Sequence, residues 1–151
     1  MEKICFLFGH RNTPYEIRPE ITEAVERHYR EYGIRHFVVG QYGAFDRMAA
    51  TAARTVKERY DDMRLSLLIP YHPAIRPVEP PKGFDGTLYP EGMESVPLKF
   101  AIVRANQYMV KRADSIICYV KHFGNTRELL EQAQRLEQRE ELYIENLAEN
   151  L

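Results

Sequence analysis

The stretch HFVVGQYGAFDRMAA, residues 36–50, decides how this chain folds. Its first part, His36–Val39, is a short apolar segment typical of a buried strand, and a helix follows from about Ala44. The connecting loop contains Gly40 and Gly43, but their spacing differs from the GxGxxG fingerprint of dinucleotide-binding folds. A strand that becomes a helix within a few residues brings free backbone N–H groups to the carboxyl edge of a sheet. The stretch therefore predicts an anion-binding turn.

The sequence on both sides repeats this alternation of apolar strand and amphipathic helix. The pattern predicts strands at 3–8, 36–39, 64–70, 114–120 and 141–144, and helices at 17–33, 44–60, 98–113 and 127–138. Alternating strands and helices imply a parallel sheet with right-handed crossovers. We therefore predict an α/β fold: a Rossmann-like three-layer sandwich with a parallel sheet of about five strands in the order 3-2-1-4-5 and helices on both faces.

The 151 residues fit a single domain that can bury a core of its own. The segment 71–97, between the third strand and the third helix, is rich in proline and glycine and has neither helical nor strand periodicity. Loops of that length inside compact domains are usually functional lids or disordered segments. Because this one leaves the carboxyl end of a strand, we predict a lid-like loop. The final residues, 145–151, predict an acidic, weakly structured end.

Composition and charge exclude several classes of protein. A formal net charge of −1 argues against a basic nucleic-acid binder. The apolar run Ile4–Phe8 is too short for a signal peptide or a membrane span, so no membrane partner is expected. Cys5 and Cys118 lie in apolar strands, which predicts buried structural thiols and a reduced, cytoplasmic chain. Zinc spacing, HExxH, GxSxG and Walker A patterns are absent from the sequence, so we predict no metal and no cofactor.

The predicted topology brings three turns to one edge of the sheet. In the order 3-2-1-4-5 the winding reverses between strands one and four, which opens a crevice at their carboxyl ends. The turn of the opening stretch lies one strand away. A phosphorylated or nucleotide-like ligand is the simplest occupant, and the residues predicted to bind it are Gly9, His10, Arg11, Asn12, Gly40, Gly43, Ala44, Phe45, Asp46, Gly124, Asn125 and Thr126.

Several of these residues have a plainer interpretation, and the sequence leaves both open. Arg11 either contacts the ligand or is a solvated loop residue. Asp46 either faces ribose hydroxyls or simply complements the helix dipole from the first turn. Asn125 and Thr126 are typical turn and cap residues, which is compatible with phosphate binding because both roles use the same backbone donors.

Four motifs together resemble one family. They are the GHR turn after the first strand, GAFDRMAA after the second, RANQYMVKRADSIICYV around the fourth, and GNTREL after it. This combination resembles the SLOG superfamily, most closely its small YpsA-type (DUF1273) proteins, and more distantly the LOG phosphoribohydrolases and the DNA-processing protein DprA. The resemblance extends from Lys3 to about Leu147. It implies a Rossmann-like fold that binds nucleotides or nucleotide-derived ligands at this edge, with Arg104 and Asn106 on the ligand side.

The chain departs from the LOG pattern at the catalytic position. LOG enzymes have a PGGxGTxxE turn whose glutamate is catalytic and is assisted by an upstream arginine. Here Phe123 to Thr126 replace the glycine-rich part, and Leu129 stands three residues after the threonine. The resemblance implies Arg104 as the upstream arginine and leaves Glu128, one position early, as the nearest carboxylate. N-glycoside hydrolysis needs such a positioned carboxylate.

Three functions remain open from the sequence. The first is a domain that binds or senses a nucleotide-like small molecule without turning it over. The second is a LOG-like nucleoside 5′-monophosphate N-glycosidase, with Glu128, Glu91 or Glu94 as its carboxylate. The third is a DprA-like nucleic-acid-associated protein, which the neutral charge balance disfavours. The misplaced glutamate favours the first over the second. If the chain self-associates, a closed two-fold homodimer is the default expectation.

Overall fold

The computed structural model describes residues 2–138 and 142–150. The six strands in this part of the chain are β1 (Lys3–Gly9), β2 (Ile34–Val39), β3 (Arg64–Leu68), β4 (Gly86–Leu88), β5 (Ser115–Tyr119) and β6 (Tyr143–Asn146). The α-helices are α1 (Arg18–Tyr32), α2 (Ala44–Lys57), α3 (Ala101–Arg112) and α4 (Asn125–Glu137).

All strands pair in parallel in one sheet of order β4-β3-β2-β1-β5-β6. The predicted α/β, Rossmann-like three-layer fold is confirmed. The five predicted strands keep their order, as β3-β2-β1-β5-β6, but the sheet has a sixth strand at its edge. As predicted, the winding reverses between β1 and the strand that follows α3, so the crevice opens beside the carboxyl end of β1.

The extra strand, β4, comes from the segment 71–97, for which the sequence predicts no regular structure. It pairs only three residues with β3, from Ser66↔Gly86 to Leu68↔Leu88. Two flanking hydrogen bonds fix it: the Leu65 N–H donates to the Asp85 carboxylate at 2.8 Å and the Ile69 N–H to the Leu88 carbonyl at 2.9 Å. A strand this short carries no detectable periodicity. That this segment closes over the crevice as a lid stays a prediction.

Alternate residues of β1 serve two separate cores because helices cover both faces of the sheet. Cys5 and Leu7 belong to the core under α1 and α2, whereas Phe6 and Phe8 belong to the core under α3 and α4. The apolar run of β1 is thus explained by a central parallel strand buried on both faces. Both cysteines are buried free thiols, as predicted.

Several element boundaries differ from the prediction; for example, β2 begins at Ile34, α2 ends at Lys57 and α4 begins at Asn125. The third helix begins with a 3₁₀ turn, Leu98–Phe100, before α3. The last strand, predicted at 141–144, is β6 at Tyr143–Asn146. Glu141 lies outside the described residues. The predicted weakly structured end instead forms β6 and a 3₁₀ turn, Leu147–Asn150. It is fixed because the buried Asn146 side chain accepts the Val120 N–H at 3.0 Å and donates to the Val120 carbonyl at 2.9 Å.

Across residues 2–138 and 142–150, none of the helices combines the length and the hydropathy that crossing a bilayer would require.

Candidate functional site

The crevice at the carboxyl end of β1 contains a cavity of about 650 Å³. The loop after β1, the turn before α2, and helices α3 and α4 all contribute to its walls. Of the residues predicted as ligand-binding or catalytic, those that line the cavity are Gly9, Arg11, Gly40, Asp46, Asn106, Asn125, Thr126 and Glu128. The fold therefore brings residues from all three predicted turns, and from α3, to one space.

The amino end of α4 presents unused hydrogen-bond donors beside this cavity. Gly124, with φ of 136°, precedes the helix, and no side chain caps it. The first N–H of the helix to find an acceptor is that of Glu128, which donates to the Gly124 carbonyl at 3.1 Å. Within the described part of the chain, the N–H groups of Asn125, Thr126 and Arg127 have no such acceptor. Open amides at a helix N-terminus favour an anion.

The amino end of α2 lies against the loop that follows β1. The Ala44 N–H donates to the Arg11 carbonyl at 3.0 Å, and no side chain caps this helix either. Gly43 permits the contact: its φ is 123°, and a Cβ atom there would lie 2.8 Å from the Arg11 Cα. Any other residue would push the two segments apart. The glycine in the turn thus sets the position of Arg11 relative to α2.

Asp46, in the first turn of α2, is a carboxyl group with unusual surroundings. It accepts the Tyr42 N–H at 2.9 Å, so it stabilises the turn that precedes its own helix. Burial raises its pKa to about 6, although the Tyr42 hydrogen bond and the charges of Arg11 and Arg47 act in the opposite direction. A carboxyl group with this pKa can hold or release a proton near neutral pH, which the dipole interpretation of the sequence does not anticipate.

Gly40 explains how the Asp46 carboxylate reaches the cavity wall. A Cβ atom at Gly40 would lie 2.9 Å from Asp46 Oδ2, so any larger residue at the end of β2 would displace the carboxylate. Gly9 has a similar role at the end of β1, because a Cβ atom there would lie 2.5 Å from Cγ of the buried Phe45. Phe45 therefore supports the crevice from below and does not line it.

His10 has a different position from the one predicted. It is 6% exposed and does not line the cavity. Its Nε2 atom accepts the N–H of Lys121 at 2.9 Å and that of His122 at 3.4 Å. Its ring also stacks on His122, with centroids 3.7 Å apart. His10 thus holds the loop after β5 from inside the protein.

The remaining predicted residues lie around the cavity or away from it. Asn12, Gly43, Ala44 and Gly124 belong to the turns that shape the crevice but do not line it. Arg104 is exposed on α3 and is also outside the lining, whereas Asn106 two residues later lies within it. Of the two predicted catalytic residues, the structure places Glu128 at the cavity and Arg104 outside it.

Sequence reasoning missed the part of the cavity that extends between α3 and α4. The lining residues there are Gln107, Lys111, Glu131, Gln132 and Arg135. The sequence does contain a signal for the α4 part: polar residues spaced three or four apart share one face of the helix, namely Glu128, Glu131, Gln132 and Arg135.

Tyr42 lines the other end of the cavity. It is half-buried, and burial raises its pKa.

Within the ranges 2–138 and 142–150, no group of three or more histidine, cysteine, aspartate or glutamate side chains is arranged to hold a metal ion. A scan against models of known protein families finds no match to the chain, and a search of curated proteins finds none either.

Proposed function

We propose that the crevice binds a nucleotide or nucleotide-derived small molecule, and that the chain is a SLOG-like domain that binds or senses this ligand. One observation carries the proposal. The open amino end of α4, Arg11 and the Asp46 carboxyl group all meet in a single cavity at the point where the sheet reverses its winding. This is where ligands bind in open α/β sheets.

Each part of a nucleotide has a suitable counterpart in the cavity. The amides at the start of α4 and the Arg11 guanidinium favour a phosphate group. The Asp46 carboxylate is suited to accept hydrogen bonds from ribose hydroxyls. The side chains of Phe8, Leu68 and Ile102 offer apolar surface for a base. A volume of about 650 Å³ lies within the range of roughly 300–1,000 Å³ that is usual for small-molecule sites.

The charge of the cavity wall favours a small molecule over a nucleic acid. Its basic residues are Arg11, Lys111 and Arg135, and its acidic residues are Asp46, Glu128 and Glu131. A binding surface for the phosphate backbone of DNA or RNA would instead be predominantly basic, because affinity comes from neutralising successive phosphates. The balanced wall therefore supports the small-molecule proposal over the DprA-like alternative.

A second function, N-glycoside hydrolysis of a nucleoside monophosphate, is favoured by the Asp46 carboxyl group. A pKa of about 6 suits a general acid near neutral pH. In this reaction a water molecule would add to C1′ of the ribose as the glycosidic bond breaks, the base would leave with a proton from Asp46, and the proton lost by the water would pass to the resulting Asp46 carboxylate. Glu128 lines the same cavity, whereas Glu91 and Glu94 do not. Asp46 is thus a better candidate acid than either carboxylate of the long loop.

The experiment is a thermal-shift screen of the purified protein against nucleoside mono-, di- and triphosphates, NAD, ADP-ribose and cyclic nucleotides. A ligand at a hundred times its dissociation constant should add about 2.7 kcal/mol to the free energy of unfolding. Each mixture is then separated by chromatography to detect released base. Stabilisation without released base supports the binding domain, and released base supports the N-glycosidase. If no compound stabilises the protein, the proposal is contradicted.

A further inference from the structure

The His10 side chain connects the loop after β1 to the turn that leads into α4. His10 Nε2 faces the backbone N–H groups of Lys121 and His122, at 2.9 and 3.4 Å. Both N–H groups belong to the short segment before Gly124, the residue that precedes α4. The position of the open amides at the start of α4 therefore depends on a side chain from the other side of the crevice.

The direction of these hydrogen bonds fixes the protonation of the ring. Backbone N–H groups can only donate, so His10 Nε2 must accept with its lone pair and a neutral ring carries its proton on Nδ1. A proton added to Nε2 would occupy the lone pair that accepts both N–H groups. The new N–H would then point toward two other donors. The contact exists only while His10 is neutral.

The charged groups around His10 oppose its protonation. Burial is the main reason that its pKa lies below the ordinary value, and the positive charges of His122 and Arg127 add to the effect. His122 comes from the loop after β5, where its ring stacks on His10 at 3.7 Å and 7° between planes. Arg127 comes from α4, and the Tyr119 ring, on β5, lies edge-on to His10 with the two ring centroids 6.1 Å apart. Lys121 contributes a further basic side chain to the same loop.

We propose that His10 is a proton-sensitive positioning residue: its neutral imidazole holds the turn Lys121–Gly124 so that the first amides of α4 bind an anion, and its protonation releases the turn and weakens that binding. The inference rests on the proposed anion-binding crevice and adds a means of regulating it. His10 itself does not line the cavity, so it acts through the turn and does not contact the ligand.

Two effects of protonation compete, and they predict opposite results. A charged imidazole close to the site would attract an anion, which would tighten binding at low pH. Release of the turn would instead move the N–H groups of Asn125, Thr126 and Arg127 away from the anion. Anion binding at low pH would then be weaker. We expect the second effect to dominate because several short-range donors depend on the turn, whereas the attraction comes from a single charge on a ring that does not line the cavity.

The test uses sulfate as a probe, since sulfate stays a dianion between pH 5 and 8 while phosphate titrates. Sulfate dissociation constants are measured from the ¹H–¹⁵N shifts of the Asn125, Thr126 and Arg127 amides at pH 7.5 and pH 5.0. His10→Gln supplies an acceptor oxygen that does not titrate in this range, and His10→Phe supplies none. Because H10Q retains Asp46, Glu128 and every other titrating group, it is the matched control for their effects on the anion.

We expect the dissociation constant of the wild type, divided by that of H10Q, to rise at least fivefold between pH 7.5 and pH 5.0. His10→Phe should bind sulfate weakly at both pH values. In the ligand-free wild type, a through-hydrogen-bond coupling between the Lys121 amide nitrogen and His10 Nε2 should be present at pH 7.5 and lost at pH 5.0.

Three results would overturn the inference. They are the same pH dependence in wild type and H10Q, a ratio of the two dissociation constants that falls between pH 7.5 and pH 5.0, and the absence of the Lys121–His10 coupling at pH 7.5. Sulfate that shifts none of the α4 amides in wild type at either pH would contradict the anion site itself. That failure is distinguishable, because the coupling is measured without any ligand.

Discussion

Two polar regions of this molecule use their side chains in opposite ways. The crevice at the carboxyl end of β1 has open amides, an arginine and a carboxyl group around a cavity of about 650 Å³. The second region, which we term the buried network, consists of Arg27, His28, Ser115 and Glu145. There His28 Nε2 donates to Glu145 at 3.0 Å, Nδ1 lies 2.9 Å from the Ser115 hydroxyl, and Arg27 pairs with Glu145.

The buried network has the residue types of a catalytic triad but not the surroundings of one. Ser115 is 1% exposed, His28 is 0% exposed, and neither lines the crevice cavity. Its polar groups have partners and no space for a substrate, so it connects α1, β5 and β6. The crevice, in contrast, has N–H donors that find no partner among the described residues, and it has space beside them. The candidate site is therefore identified by hydrogen-bond donors without partners next to a cavity. A set of residue types typical of catalysis is not sufficient.

The largest expected effect is in the buried network. Glu145→Ala should lower the free energy of unfolding by about 3 kcal/mol at pH 7, because it leaves His28 and Arg27 without the carboxylate between them. Urea denaturation measures the change, and sulfate or nucleotide binding should persist in the folded variant. Glu149→Ala, an exposed glutamate four residues later, is the matched control and should change stability by less than about 0.5 kcal/mol.

The same variant gives a pH test of the network. Although burial of Glu145 acts in the opposite direction, the His28 hydrogen bond and the Arg27 charge hold the pKa of its carboxyl below the usual value. A lowered pKa in the folded state contributes stability above the ordinary glutamate pKa and loses it as the pH falls through the folded value. The stability difference between wild type and E145A should therefore shrink below about pH 4. A constant difference would contradict this account of the network.

The next effect tests how tightly the floor of the crevice is packed. Gly9→Ala should cost about 2 kcal/mol of stability, since its Cβ atom would lie 2.5 Å from Cγ of the buried Phe45. Gly86→Ala in β4, where a Cβ atom would meet nothing within 4 Å, is the control. Thermal or urea unfolding measures both. Equal stability of the two variants would show that the crevice is looser than the buried network.

A smaller effect distinguishes the crevice from the surface beside it. Arg11→Ala should weaken binding of a nucleoside monophosphate about tenfold, or about 1.4 kcal/mol, because one charge that favours phosphate is lost. Arg104→Ala should change affinity less than twofold, since Arg104 is exposed outside the cavity lining. Calorimetric titration measures both. Equal losses would restore the LOG-like role that the sequence resemblance implies for Arg104.

The smallest expected effect has opposite signs for stability and binding. A carboxyl group whose pKa is raised, from 3.8 to about 6 at Asp46, contributes stability at low pH that is lost as the pH rises through the folded value. Asp46→Asn should therefore raise the free energy of unfolding by about 1 kcal/mol at pH 7.5 and weaken ligand binding. The gain should disappear at pH 3. A destabilised D46N would show that Asp46 serves only to stabilise the turn before α2.

The sequence was sufficient for the fold because strands and helices alternate with clear periodicity. The prediction missed β4 because its three residues form a strand through pairing with β3 and not through any local pattern. The glycines and polar turns also predicted the sheet edge at which the structure has its cavity. The role of His10 could not be predicted from the sequence. A histidine in a loop gives the same sequence pattern whether it contacts a ligand or, as here, the backbone N–H of a residue 111 positions later in the chain.

The properties of Asp46 depend similarly on tertiary structure. Its position in the first turn of α2 was evident, but its raised pKa comes from burial, which a single sequence does not specify. Lys111 and Arg135 are ordinary polar residues of amphipathic helices until α3 and α4 are placed side by side. Residue type and spacing thus predicted several residues that line the cavity, while the state of each side chain there required the packed structure.

The most direct test of the central claim is an NMR titration of ¹⁵N-labelled wild-type protein with AMP, GMP, CMP and UMP. We expect at least one nucleotide to shift the amides of Arg11, Asp46 and Thr126 in a saturable manner, while those of His28 and Ser115 in the buried network remain unchanged. If none of the four nucleotides shifts the crevice amides, or if the shifts concentrate in the buried network, the contrast drawn between the two regions is wrong.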